Sequence, residues 1–140
     1  MSKIARNIVI TGGTSGIGKA CLDLFKEKGD NVIILARKNP ENLPNFYKCD
    51  VSNYEEVKQV FNEISNKYTG IDVLVNNAGI AIDTLFEDKT VDNFKKILDT
   101  NLIGTFLVSK YVGNIMLENK SGSIINVSST NGIDTVYPMS

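Results

Sequence analysis

The sequence contains no histidine and only two cysteines, and its formal net charge is −1. Without histidine the commonest general base and the commonest metal ligand are missing, so no metal centre is expected. Cys21 and Cys49 sit in apolar stretches of different segments and form no Cys-x-x-Cys. They read as two buried thiols, because a disulfide framework needs more cysteines and a secretory setting. The near-balanced charge leaves no electrostatic footprint for nucleic acid or an anionic membrane. No apolar run approaches membrane-spanning length, and Met1-Ser2-Lys3 opens no signal-peptide core. The expectation is a soluble cytoplasmic protein with neither nucleic-acid nor membrane partners. Its 140 residues suit one domain with a real core.

What is present is a regular alternation of short apolar runs and helical stretches. Ile8 to Ile10 reads as a buried strand. Ile17, Ala20, Cys21, Leu24, Phe25 and Lys28 recur at helical steps, and Gly29 is placed to end that helix. Val32 to Leu35 is a second strand, residues 38–45 a loop with two prolines, and Phe46 to Cys49 a third strand. Ser52 and Glu55 fit a capping box before an amphipathic helix carrying Val57, Val60, Phe61, Ile64 and Tyr68. Val73 to Val75 is a fourth strand, and residues 76–88 form a loop. Thr90 opens a further helix with Phe94, Ile97 and Leu98.

From Leu102 to Leu117 the apolar residues spread over more than one face. Such a helix is usually buried on two sides, which predicts a homo-oligomer paired through it as well as contact with the sheet. Ile124 to Val127 is a fifth strand. Strands separated by helices imply right-handed βαβ units. The expected fold is α/β, a Rossmann-type doubly wound parallel sheet of strand order 3-2-1-4-5 over residues 1–140.

The chemistry sits first at Thr11-Gly12-Gly13-Thr14-Ser15-Gly16-Ile17-Gly18, between the first strand and the first helix. Gly12 permits the tight bend, Gly16 lets backbone approach a phosphate, and Gly18 lets helix and strand pack closely. Thr14 and Ser15 offer hydroxyl donors to phosphate oxygens. The spacing is Gly-x-x-x-Gly-x-Gly, and Lys19 is followed by Ala20 rather than Ser or Thr, which excludes a P-loop. After the second strand come Ala36, Arg37 and Lys38, with no carboxylate for a free ribose 2′-hydroxyl. Two cations there suit a 2′-phosphate and favour NADP over NAD.

These motifs resemble those of the short-chain dehydrogenases/reductases. The Gly-x-x-x-Gly-x-Gly turn is one. Asn76-Asn77-Ala78-Gly79, Asp50 before Val51, Asn101 in the central helix, and Ser128-Ser129 closing the fifth strand are the others. The resemblance covers essentially the whole chain. It implies that Gly12, Thr14, Ser15, Gly16, Ile17 and Gly18 hold the pyrophosphate. It also implies that Asp50 and Val51 meet the adenine, and that Asn77, Ala78 and Gly79 line the ribose and nicotinamide side. Ser129, rather than Ser128, would position the substrate oxygen, and Asn101 would hold a water in the proton relay.

The implied activity is hydride transfer between a nicotinamide cofactor and a small-molecule carbonyl or alcohol. The family's Tyr-x-x-x-Lys element has no full match, since Tyr137 follows Ser129 too closely and precedes Pro138, which marks it as a loop residue. The expectation is therefore an N-terminal cofactor-binding portion, truncated before the last strands and inactive as it stands. The alternative is a non-catalytic dinucleotide-binding or redox-sensing module.

Overall fold

The computed structural model describes residues 4–133. Tyr137 and the loop reading attached to it lie outside the described residues. Five parallel strands form one sheet of order β3-β2-β1-β4-β5, as expected. They are β1 (Asn7–Thr11), β2 (Asn31–Ala36), β3 (Phe46–Lys48), β4 (Val73–Asn76) and β5 (Ser123–Asn126). Four α-helices join them: α1 (Gly16–Glu27), α2 (Tyr54–Lys67), α3 (Val91–Leu98) and α4 (Thr105–Asn119).

Alternation along the strands divides the core. Val9, Ile33, Leu35 and Leu74 face Val57, Phe61 and Ile64 of α2 and Val108 and Val112 of α4. Ile8, Ile10, Val32, Ile34, Val73 and Val75 face Leu22 of α1, with Cys21, Phe25 and Leu43 packed beside it. Both faces of the central strands are covered, which is why those strands are continuously apolar. Strand β5 is different: it pairs with β4 at the sheet edge, and all four of its residues are exposed.

Helix α1 is rotated from the face that its periodicity suggests. Ile17 and Leu24 are 62% and 51% exposed, while Gly18 and Leu22 are buried. The cause is steric. A Cβ on Gly18 would collide with the Gly12 carbonyl oxygen and with Asn77 Nδ2. This contact fixes the helix phase, so the residues three, four and seven positions on (Cys21, Leu22 and Phe25) become the inward ones. The helix ends at Gly29, whose N–H donates to the Lys26 carbonyl at 2.9 Å.

The start of α2 is also shifted by one residue from the expected Ser52–Glu55 box. Asp50 Oδ1 accepts both the Ser52 N–H at 3.0 Å and the Ser52 hydroxyl at 2.6 Å, so Ser52 is not available as a cap. Asn53 caps instead, its Oδ1 accepting the N–H groups of Glu55 and Glu56. Glu56 reciprocates, accepting from Asn53 Nδ2 at 3.2 Å and from the Asp50 N–H at 2.8 Å. Thr90 caps α3 as expected, accepting the Asn93 N–H at 3.1 Å.

The two thiols differ. Cys49 is 1% exposed, and burial, aided by Glu56 and Asp50, pushes its pKa up to about 12. Cys21 is only half-buried, which corrects the reading of two equally buried thiols. In the native chain a chromogenic disulfide reagent should therefore titrate Cys21 alone, with Cys49 reacting only after denaturation. Prompt labelling of Cys49 would contradict its burial. Gly18→Ala should destabilise the chain by about 1–3 kcal/mol, as overpacking at a fixed contact does, and denaturant titration measures it.

Candidate functional site

Strand β1 delivers the chain into the glycine turn at its carboxyl end, where parallel sheets place ligands. The turn is gripped from β4. Thr11 Oγ1 accepts the backbone N–H groups of Asn77 at 3.0 Å and Ala78 at 2.9 Å. Asn77 Nδ2 donates back to the carbonyls of Thr11 at 3.3 Å and Gly12 at 3.1 Å. The two motifs thus form one clasp, and it sets the floor of a cleft.

That cleft has a volume of about 600 Å³. Gly12, Thr14, Ser15, Gly16 and Ile17 line one part of it, and Arg37 and Lys38 another. Asp50, Val51, Asn77, Ala78 and Gly79 complete the expected set. Gly18 is the exception among the residues expected to bind cofactor: it is buried under α1 against Gly12, and it shapes the turn rather than lining the space. Leu35, Cys49, Ile80 and Thr100 also line the cleft without having been singled out. Each except Leu35 is the immediate neighbour of a motif residue, and Leu35 is the penultimate residue of β2, so strand-end position was the signal available.

The cleft fits a dinucleotide on three counts. Gly16 has φ +53, and a Cβ built on it meets no protein atom within 4 Å, so the space over this backbone belongs to the cleft. The amino end of α1 opens there with no acidic residue in its first turn, and its cap residue Ser15 makes no side-chain cap bond. Free amides and the positive end of the helix dipole together suit an anion. Arg37 and Lys38 are both exposed at the same cleft. Lys19 is not a further free cation, since Asp23 binds it at 2.7 Å and raises its pKa.

The expected catalytic pair is not brought into this space. Ser129 is exposed, does not line the cleft, and accepts the Asn131 N–H at 3.2 Å. Asn101 lies in a π turn, Asp99–Gly104, between α3 and α4. Its Oδ1 accepts the Ile80 N–H at 2.8 Å and its Nδ2 donates to the Ile80 carbonyl at 2.9 Å. The Asn101 side chain therefore pins the lip of the cleft beside Gly79. A single π turn in a long helix is a common device for aiming one side chain in this way. Behind the clasp, buried Asn76 donates to Ser109 Oγ and to Asn126 Oδ1, both at 2.9 Å, which ties α4 and β5 to β4.

Comparison with known proteins bears on the fold and the family. The 3-oxoacyl-(acyl-carrier-protein) reductase FabG of Thermotoga maritima is 38% identical, over 89% of this chain and 56% of that protein. The solved structure of ElxO with NADP bound is 33% identical with a TM-score of 0.86, over 97% of this chain and 60% of that one. A short chain dehydrogenase from Leptospira borgpetersenii with bound NAD+ is 31% identical with a TM-score of 0.88, over 95% and 55% of the two chains. The chain spans about half the length of the curated relatives it matches. The family model described as short chain dehydrogenase aligns with residues 6–140, and with relatives this similar over most of its length the chain belongs to that family.

Proposed function

We propose that this chain is the cofactor-binding portion of an NADP-dependent oxidoreductase that transfers hydride between nicotinamide and a carbonyl or alcohol. The observation that carries the NADP reading is the cationic pair Arg37–Lys38 on the cleft, with Ala36 in place of a carboxylate. Related structures hold either NADP or NAD+, so kinship alone does not choose between them.

A bound nicotinamide cofactor supplies or accepts the hydride. The chain's own residues bind and orient. The amides from Gly12 to Gly18, with Thr14 and Ser15, hold the pyrophosphate. Asp50 and Val51 meet the adenine, and Asn77, Ala78 and Gly79 lie along the ribose and nicotinamide side. Arg37 and Lys38 meet the 2′-phosphate with charge-assisted hydrogen bonds. Ser129, which stands outside the cleft, would position the substrate oxygen in the family's arrangement, and Asn101, already holding Ile80, would keep a water near the lip.

No tyrosine lines the cleft among the described residues. Tyr47, Tyr54, Tyr68 and Tyr111 do not line it, and Tyr111 stacks on Phe61 at 5.6 Å. This supports cofactor binding without turnover by the described residues. It keeps open the reading of a non-catalytic dinucleotide-binding module.

Helix α4 supports an oligomer. Leu107, Val108, Val112 and Met116 are buried, while Phe106 and Leu117 are 58% and 76% exposed on its other side, beside Leu102 of the π turn at 60%. Such a surface suits a second copy of the chain. A cytoplasmic setting accords with two free thiols and with the absence, among the described residues, of any helix long and apolar enough to cross a membrane.

Fluorescence titration should give tighter binding of NADPH than of NADH. The double variant R37A/K38A should weaken NADPH by about tenfold to a hundredfold, the size of one or two lost charged hydrogen bonds, and NADH far less. Equal effects on both would remove the NADP reading. Incubation with NADPH and a panel of ketones should leave the NADPH absorbance unchanged, and turnover would contradict the binding-only reading. Light scattering should give an oligomer that Phe106→Glu converts to monomer.

A further inference from the structure

The segment that bears Arg37 and Lys38 belongs to no helix or strand, yet it is built as a closed strap. Asn39 Oδ1 accepts the Leu43 N–H at 2.8 Å, and Asn39 Nδ2 donates to the Leu43 carbonyl at 3.0 Å. One carboxamide thus satisfies both backbone groups of a residue four positions on. The Asn42 N–H donates to the Asn39 carbonyl at 3.3 Å, with Asn42 in the left-handed region at φ 50.

Leu43 is anchored in turn. Its side chain packs on the core cluster beneath α1. Beyond it the Asn45 carbonyl accepts the Ile34 N–H at 2.9 Å, which returns the strap to β2. Pro40 and Pro44 follow the two clamped residues directly, fixing their own φ and holding Asn39 and Leu43 away from helix. The strap's one carboxylate, Glu41, lies 4.0 Å from Lys19 Nζ.

Only Arg37 and Lys38 therefore stand between the end of β2 at Ala36 and the clamp at Asn39. Asn39 itself does not line the cleft. We propose that Asn39 is a positioning residue for cofactor choice: by clamping Leu43 it holds Arg37 and Lys38 as a pre-organised cationic ledge for a ribose 2′-phosphate. This rests on the NADP reading above. The physical gain is entropic, because two long cationic side chains on a loose loop would have to be ordered, backbone included, each time a phosphate bound. A cofactor with a free 2′-hydroxyl gains nothing from the ledge, so the clamp acts on preference rather than on dinucleotide binding as such.

The test measures dissociation constants for NADPH and NADH with the 140-residue chain, N39A and R37A/K38A side by side, together with melting temperatures. N39A should weaken NADPH by about tenfold, the scale of re-ordering two long side chains. NADH affinity should hardly move, and the melting temperature should fall by only a few degrees, the scale of two lost hydrogen bonds. If N39A lowers both affinities equally, or leaves their ratio unchanged while R37A/K38A collapses it, the positioning role of Asn39 is wrong and the NADP reading stands. If R37A/K38A leaves the ratio unchanged, the NADP reading fails and takes this proposal with it. N39S, which retains at most one of the two bonds, is read in the same way if N39A does not fold.

Discussion

Where β1 runs out, the Thr11–Gly12 carbonyls turn towards Asn77 while α1 presses its Gly18 onto Gly12 from the other side. Three separated segments thus meet within one hydrogen-bond length, and each needs the others. Thr11 is 2% exposed, and its hydroxyl is the acceptor for two backbone amides of the β4 loop. Leaving a buried donor unpaired costs about 1–3 kcal/mol, so Thr11 and Asn77 hold the turn as firmly as any packing contact. The same meeting point sets the rotation of α1, and through it which side of that helix covers the sheet.

A single constraint of this kind explains why sequence periodicity was a good guide to the sheet and a poor one to α1. The central strands are apolar on both faces, so their identity follows from composition, and alternation with helices points to the doubly wound order. Helix phase is different. The apolar stripe through Ile17, Ala20 and Leu24 is as regular as the one that is buried, and periodicity cannot rank them. What decides is a clash that a glycine avoids, between residues six apart in sequence that the turn folds together. The shifted cap of α2 has the same character: Ser52 and Asn53 are both good caps, and Asp50 removes Ser52 from competition by binding it.

The site was more legible than its supports. Glycine spacing and strand ends mark out the cleft, because phosphate approach demands small residues and open backbone at fixed places. The residues that hold those places still carry no such signature. Asn39 looks like one more polar loop residue, and Ser109 like one more helix residue, until the fold shows each with its partner. A hydrogen bond across thirty-three positions, as from Asn76 to Ser109, leaves no local pattern to read.

The residues proposed to bind cofactor and the serine proposed to meet substrate lie on different parts of the sheet. The residues lining the cleft come from the ends of β1 to β4, the loops that follow them, the first turn of α1, and Thr100 at the π turn. All of these elements are cross-braced: β1 by Asn77, β2 by the strap, the β3 end by Asp50 and Glu56, and the β4 loop by Asn101. Strand β5, which leads to Ser129, has one sheet neighbour and exposed side chains on both faces. Beside the backbone ladder, Asn76 Nδ2 ties it to β4 by donating to Asn126 Oδ1. The braces on β1 to β4 hold the lining of the cleft before any ligand enters, the pre-organisation that the proposed recognition of phosphate and ribose by backbone and strand ends calls for.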